Sequence, residues 1–184
     1  MPTASRSRLL ELFKDRAVSF GKFTLASGRE STYYINSKKA LFNSEALWLL
    51  GEEIWQRTRD LSVQAAGGPE VGAIPMAAAA AMRYHEEGRP LEGFFVRKEV
   101  KQHGSRDRIE GLLQPGWRVA ILEDVVTSGG SVMQAITEVE LAGAHVAAVL
   151  CIVDRLEGAR DLLAPRYNYM PIFTIRDFGI EPSS

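Results

Sequence analysis

The chain has 184 residues, enough for one domain with a sizeable core, and its 46% hydrophobic and 24% charged residues are those of an ordinary globular protein. Its 22 lysines and arginines balance 23 aspartates and glutamates, and the formal net charge of −1 argues against polyanion binding over the whole surface, leaving room only for a local basic patch. The single cysteine, Cys151, excludes an internal disulfide and a thiolate metal cluster, and its place inside the apolar run HVAAVLCIVD marks it as a core thiol.

The N-terminal stretch MPTASRSRLLELFKDRA carries charges every few residues and has no signal-peptide apolar core, and no apolar run of the chain reaches the roughly 18 residues of a membrane span. The expected location is therefore the cytoplasm. Residues 5–16 read as an amphipathic helix capped by Ser5 or Ser7, with Leu9, Leu10 and Phe13 on one face. FGKFTLASGRESTYYINSKKA mixes Gly, Ser and aromatic residues and reads as short extended pieces about a turn at Ser27-Gly28. A second helix is predicted from Asn43 or Ser44 to about Asp60, with Glu45 in its first turn suiting the helix dipole. In VQAAGGPEVGAIPMAAAAAM a strand ends at the glycines, a turn contains Pro69, and an alanine-rich helix starts near Ile74. GFFVRK reads as a strand, EVKQHGSRDRIEG as a polar loop, RVAILED as a strand, GGSVMQAITEVELAG as a helix and HVAAVLCIVD as a strand. EGARDLLA suggests a short helix and YMPIFTI a last strand. Alternating strands and helices, two of the strands continuously apolar, predict an α/β fold with a mostly parallel sheet covered by helices on both faces.

In open sheets of this kind ligands bind beyond the C-terminal ends of the strands. The segment VAILEDVVTSGGSV ends a buried strand on two acids, Glu123 and Asp124, followed by Thr127-Ser128-Gly129-Gly130-Ser131 leading into a helix. Free backbone N–H groups, hydroxyls and close-approach glycines there make a phosphate cradle. Carboxylates beside such a cradle repel the phosphate unless a sugar diol or a divalent metal stands between them, so the stretch reads as a site for a phosphorylated ribose. The competing reading is a plain helix cap beside a solvated acidic turn. It is disfavoured because paired acids closing an apolar strand are unusual. No G-x-x-x-x-G-K-[ST] occurs, nor any G-x-G-x-x-G after a strand. Six basic or imidazole side chains fall between Arg97 and Arg108, a concentration that suits a diphosphate, although a solvated charged loop has the same composition.

VAILEDVVTSGGSV resembles the phosphoribosyl-diphosphate signature of the type I phosphoribosyltransferases. The loop R-K-x-x-K-x-H-G of Arg97–Gly104 resembles the mobile catalytic loop of the orotate phosphoribosyltransferase family in particular. FGKFTLASGRESTYYIN, GPEVGAIPMA and Val153-Asp154-Arg155 are similar to three further motifs of that family, so the resemblance runs in five pieces from about Phe20 to Arg155.

The resemblance implies a single domain over 1–184, with a small N-terminal hood subdomain of about residues 1–40 above the active site. It implies that Glu123 and Asp124 hold the ribose hydroxyls while Val125, Val126, Thr127, Ser128, Gly129, Gly130 and Ser131 wrap the 5-phosphate. Val71 and Gly72 lie at the diphosphate, and Arg97, Lys101 and His103 bind phosphate. Lys98 reaches into the neighbouring subunit of a homodimer, and Lys98, Lys101, His103 and Asp124 form the catalytic set. Tyr34, Ile35, Thr127 and Arg155 contact orotate, the arginine offering a two-pronged donor to a planar carboxylate. Mg²⁺ is expected as cofactor, held mainly by substrate oxygens rather than directly by the protein; neither nucleic acid nor membrane is an expected partner. Two departures stand out: Ala26 replaces a frequent lysine before Ser-Gly-Arg, leaving one phosphate contact absent or supplied by Lys22, Lys38 or Lys39, and Gln102 replaces a frequent aspartate. The rival readings are a phosphoribosyltransferase for another base, against which Arg155 and the basic loop argue, and a non-catalytic regulator of the same fold, against which the intact lysine–histidine loop argues.

Overall fold

The computed structural model describes residues 4–24, 30–99 and 108–182. Helix α1 (Ala4–Arg16) buries Leu9, Leu12 and Phe13, with Leu10 packed at the margin. It starts before Ser5, so that hydroxyl lies inside the first turn and donates to Glu53 Oε1 at 3.0 Å instead of capping the helix. Strands β1 (Val18–Thr24) and β2 (Glu30–Ile35) form an antiparallel two-stranded sheet of their own. The turn predicted between them lies outside the described residues. A short helix α2 (Lys38–Leu41) precedes α3 (Ser44–Thr58), whose Asn43 side chain accepts the Ala46 N–H at 3.1 Å as an N-cap, with Glu45 in the first turn.

The remaining elements build the main sheet: β3 (Ala65–Pro69), α4 (Ala73–Glu86), β4 (Glu92–Val96), β5 (Ile109–Gly111), β6 (Arg118–Val126), α5 (Gly130–Leu141), β7 (His145–Asp154), α6 (Ala159–Leu163) and β8 (Tyr169–Thr174), closed by a 3₁₀ turn at Ile175–Phe178. The strand order is β5-β4-β3-β6-β7-β8, parallel throughout except for the antiparallel β4–β5 pair. The predicted α/β class with helices flanking a mostly parallel sheet is what the chain adopts. Strand β3 runs on to Pro69, into the predicted turn. Pairing with β6 has already stopped at Gly67, so the missing proline N–H leaves no ladder bond open.

The two faces of the sheet explain the continuous apolar runs. On β6, Ala120 and Leu122 join the core packed under α1, α3 and α4, while Val119 and Ile121 join the core under α5 and α6. Cys151 is fully buried on the second side, and desolvation pushes its thiol pKa up. The glycines of β3 let the sheet close: a Cβ on Gly67 would lie 2.0 Å from the Phe94 carbonyl oxygen, and one on Gly68 would lie 2.0 Å from that of Leu122. No helix among the described residues is long and apolar enough to cross a membrane.

Candidate active site

Because β3, β4, β6 and β7 run parallel, their C-terminal ends bring Pro69–Gly72, Arg97-Lys98, Glu123–Ser131 and Asp154-Arg155 to one edge of the sheet. The β6–α5 turn is where the sequence leads one to expect a phosphate cradle. Gly129 caps α5 with φ of +86°, a left-handed conformation that suits glycine. Thr127, Ser128, Gly130 and Ser131 are exposed, and the first-turn N–H groups of α5 have no intrahelical acceptors. With Glu123, Val125, Val126 and Gln134 they line a cavity of about 240 Å³.

The acid pair is held tightly. Asp124 Oδ2 accepts a short hydrogen bond from Ser37 Oγ and lies 3.1 Å from Lys38 Nζ, while its Oδ1 accepts the Val125 N–H at 2.9 Å. Glu123 Oε1 accepts the Asp124 N–H at 3.1 Å. Desolvation, then the neighbouring Asp124, push Glu123 well above the carboxylate range. Burial acts the same way on Asp124, but hydrogen bonds from Glu123 and Ser37 and the charge of Lys38 outweigh it and hold that carboxyl below its ordinary value. Gly72 makes room for this arrangement, since a Cβ there would stand 2.3–2.7 Å from the Asp124 carboxyl atoms. The Glu70–Val71 peptide leading into it is cis, and the Val71 side chain is exposed.

At the end of β4, Arg97 pairs with Glu110 at 2.9 Å, and the Lys98 N–H donates to Glu70 Oε1 at 2.9 Å. Arg108 donates to the carbonyls of Arg97 (3.2 Å) and Lys98 (2.6 Å) and pairs with Glu138 of α5 at 2.9 Å. A second cavity of about 320 Å³ is lined by Arg97, Lys98 and Arg108 together with Ser131 and Gln134, so it shares two residues with the first. Lys101 and His103, and the departures Ala26 and Gln102, lie outside the described residues.

Beyond β7, Arg155 is nearly buried; its Nε donates to the Tyr33 hydroxyl at 3.1 Å, lies 2.9 Å from Glu157 Oε1, and its guanidinium sits 4.9 Å over the Tyr33 ring. The alternation of β2 turns Tyr33 inward, leaving Tyr34 47% exposed and Ile35 half-buried. Tyr33, Ser37, Lys38, Arg108 and Gln134 are site residues that the sequence reading did not assign a role, apart from naming Lys38 among three candidate cations. The period-2 pattern of ESTYYI could have flagged Tyr33; Ser37 and Lys38 meet Asp124 across 87 and 86 residues, a distance at which the sequence carries no local signal.

Among the described residues no group of three or more His, Cys, Asp or Glu side chains converges as a metal cage. The donors at this edge are carboxylate and hydroxyl oxygens, which suit a hard divalent cation brought in on substrate oxygens.

No protein-family model matches the chain. It is 40% identical over 181 residues to the orotate phosphoribosyltransferase of Bradyrhizobium sp. (strain ORS 278), covering 96% of this chain and 98% of that one. The solved Mycobacterium tuberculosis orotate phosphoribosyltransferase in complex with inorganic phosphate superposes with a TM-score of 0.84 at 34% identity, covering 97% of this chain and 100% of the other. The same enzyme in complex with 5-phospho-alpha-D-ribosyl 1-diphosphate superposes at 0.80 with 32% identity over 96% and 99%. With the acid pair, the glycine-and-hydroxyl turn and the nearly buried arginine at one sheet edge, and with this identity along nearly its whole length, the chain belongs to the orotate phosphoribosyltransferase family.

Proposed function

We propose that this site transfers the 5-phosphoribosyl group of 5-phosphoribosyl 1-diphosphate to orotate, giving orotidine 5-phosphate and diphosphate, a pentosyl transfer in the de novo synthesis of pyrimidine nucleotides. The observation that carries the reading is the convergence of the Glu123-Asp124 pair, the Thr127–Ser131 cradle and the nearly buried Arg155 at one edge. Val125–Ser131 wrap the 5-phosphate, binding it through the N–H groups and hydroxyls of the Thr127–Ser131 turn. Burial holds the Glu123 carboxyl above its ordinary pKa, while Glu123, Ser37 and Lys38 hold that of Asp124 below, so the two acids meet the ribose hydroxyls with unequal proton affinities. Val71 and Gly72 flank the diphosphate. Arg155, with Tyr34, Ile35 and Thr127, orients the orotate carboxylate and ring so that N1 faces C1 of the ribose.

As the C1–O bond to diphosphate breaks, positive charge grows on the ribose ring and negative charge on the leaving group, and the N1 lone pair closes the new bond. Arg97, Lys98, Lys101 and His103 stabilise the departing diphosphate. Mg²⁺, held chiefly by substrate oxygens, adds neutralising charge when bound. The β1–β2 hairpin with the segment through residue 40 acts as a hood: Tyr33 and Ser37 reach from it to Arg155 and Asp124. The active unit is a homodimer in the cytoplasm in which Lys98 of one subunit serves its partner's site.

The test is direct. Purified protein mixed with orotate, 5-phosphoribosyl 1-diphosphate and Mg²⁺ is expected to yield diphosphate and orotidine 5-phosphate in equal amounts. Folded protein that forms neither product would overturn the reading.

A further inference from the structure

We infer that Lys38 is a binding residue for the 1-diphosphate of the sugar substrate, supplying a cation to a site for which the family resemblance implies a lysine where this sequence has Ala26. The inference rests on the phosphoribosyl-transfer reading and adds one residue to it.

The ion pairs at the strand edge separate Lys38 from the other described cations that form them there. Arg97, Arg108 and Arg155 pair with Glu110, Glu138 and Glu157, none of which belongs to the sugar-binding set. Lys38 alone among these pairs with Asp124, itself a ribose ligand in the proposed function. Substrate that engages Asp124 Oδ2 therefore arrives beside the Lys38 ammonium, which lies 3.1 Å from that oxygen. The Lys38 side chain is half-exposed, whereas that of Asp124 is nearly buried, so the lysine is the partner free to turn. Its ammonium is a compact charge with three donors on a flexible four-carbon stem, suited to follow an arriving anion. Gly72, where an added Cβ would stand 2.3–2.7 Å from the Asp124 carboxyl atoms, packs on the same carboxylate, and in the proposed function it flanks the diphosphate with Val71, so Lys38 and the diphosphate meet at Asp124. Ser37 is fully buried and donates to the same Oδ2, so the carboxylate keeps a neutral donor when the lysine leaves. Among the described ion pairs Asp124 is joined by Lys38, and not by Lys22 or Lys39, the other two cations near the departure in sequence.

The test compares anions with and without the 1-diphosphate. Binding of inorganic diphosphate, ribose 5-phosphate and 5-phosphoribosyl 1-diphosphate, each with Mg²⁺, is measured by calorimetry for the unmutated protein, Lys38→Met and Lys38→Arg, alongside KM for both substrates. Expected for Lys38→Met is a 10- to 100-fold weaker affinity for the sugar diphosphate, roughly the loss of one charge-assisted hydrogen bond. Inorganic diphosphate should weaken in parallel, ribose 5-phosphate should bind unchanged or better, KM for orotate should hold, and Lys38→Arg should recover most of the loss. Equal weakening of ribose 5-phosphate and the two diphosphates would make Lys38 a mere support for Asp124 and overturn the inference, as would unchanged diphosphate binding. If the unmutated protein neither binds the sugar diphosphate nor forms product, it is the transferase reading that fails.

Discussion

Glu123 and Asp124 are adjacent carboxyls driven in opposite directions. Burial and the neighbouring Asp124 raise Glu123, whereas Ser37, Lys38 and Glu123 hold Asp124 down. The linkage follows from proton counting. An unfolded glutamate releases its proton near about 4.3, while folded Glu123 keeps it to higher pH. Between the two values the native state binds more protons, so stability falls as pH rises. Asp124 works the other way: its contribution is present above the unfolded aspartate value of about 3.9 and is lost as pH falls through its lower folded pKa. Above about 4.3 the Glu123 effect therefore stands by itself. Glu123→Gln removes the ionisable group, and its stability relative to the unmutated protein should rise with pH above that point and level off beyond the folded pKa. Urea unfolding midpoints across a pH series read this; a difference that stays flat with pH would mean that Glu123 ionises in the native state as freely as in water.

The secondary elements show where sequence patterning was sufficient and where it was not. Strand β7 spans His145–Asp154, the whole apolar run read from the sequence, because a strand covered on both faces writes its length directly as hydrophobicity. The start of α3 at Asn43 or Ser44 was legible for a local reason too, since the Asn43 side chain acts within a few residues as its cap. Helix α2 and strand β5 were not, since four residues of KKAL and three of IEG carry too few positions for any period, and β5 is fixed by backbone pairing to β4 at the sheet edge. The motifs named the TSGGS turn, the acids and Arg155; the partners that fix the acids and the arginine, Ser37, Lys38 and Tyr33, come from β2 and the start of α2, far away in the chain. Strand β3 carries the sharpest steric requirement. Gly68→Ala would push a methyl group against the Leu122 carbonyl, and because backbone rather than a side-chain tip must yield, the loss should reach or exceed the ~1–3 kcal/mol of an overpacked core. Gly93→Ala on the neighbouring strand meets only the Ala77 methyl at 3.8 Å and should stay within about 0.5 kcal/mol. Denaturation of the two variants decides it; a stable Gly68→Ala would show that β3 and β6 can part without cost.

At the scale of the whole molecule, two claims join the edge of the sheet to function: sites shared between subunits, and recognition of a carboxylated base. For the first, Lys98→Ala should lower turnover on the order of 10²–10³-fold, the scale of one preorganised charge donor, and Asp124→Asn should lose roughly 1–3 kcal/mol of sugar-diphosphate use from an incomplete charged hydrogen bond. If Lys98 serves the partner, mixing the two impaired proteins under subunit exchange gathers both lesions into one site and restores the other, so activity should return to up to about one intact site per mixed dimer. Proven mixed dimers without recovery would place Lys98 in its own subunit's site. The second claim is central, and one comparison of turnover tests it most directly: orotate against uracil, in the unmutated protein and in Arg155→Ala. Glu157 and Tyr33 engage Arg155 at its Nε, so uracil leaves unmatched only the donors that the orotate carboxylate would take; a site built for that carboxylate should disfavour uracil by about 10⁴-fold or more, and Arg155→Ala should erase most of that preference by slowing orotate. Comparable turnover of uracil by the unmutated protein, or a preference that survives the loss of Arg155, would contradict the assignment of this site to orotate.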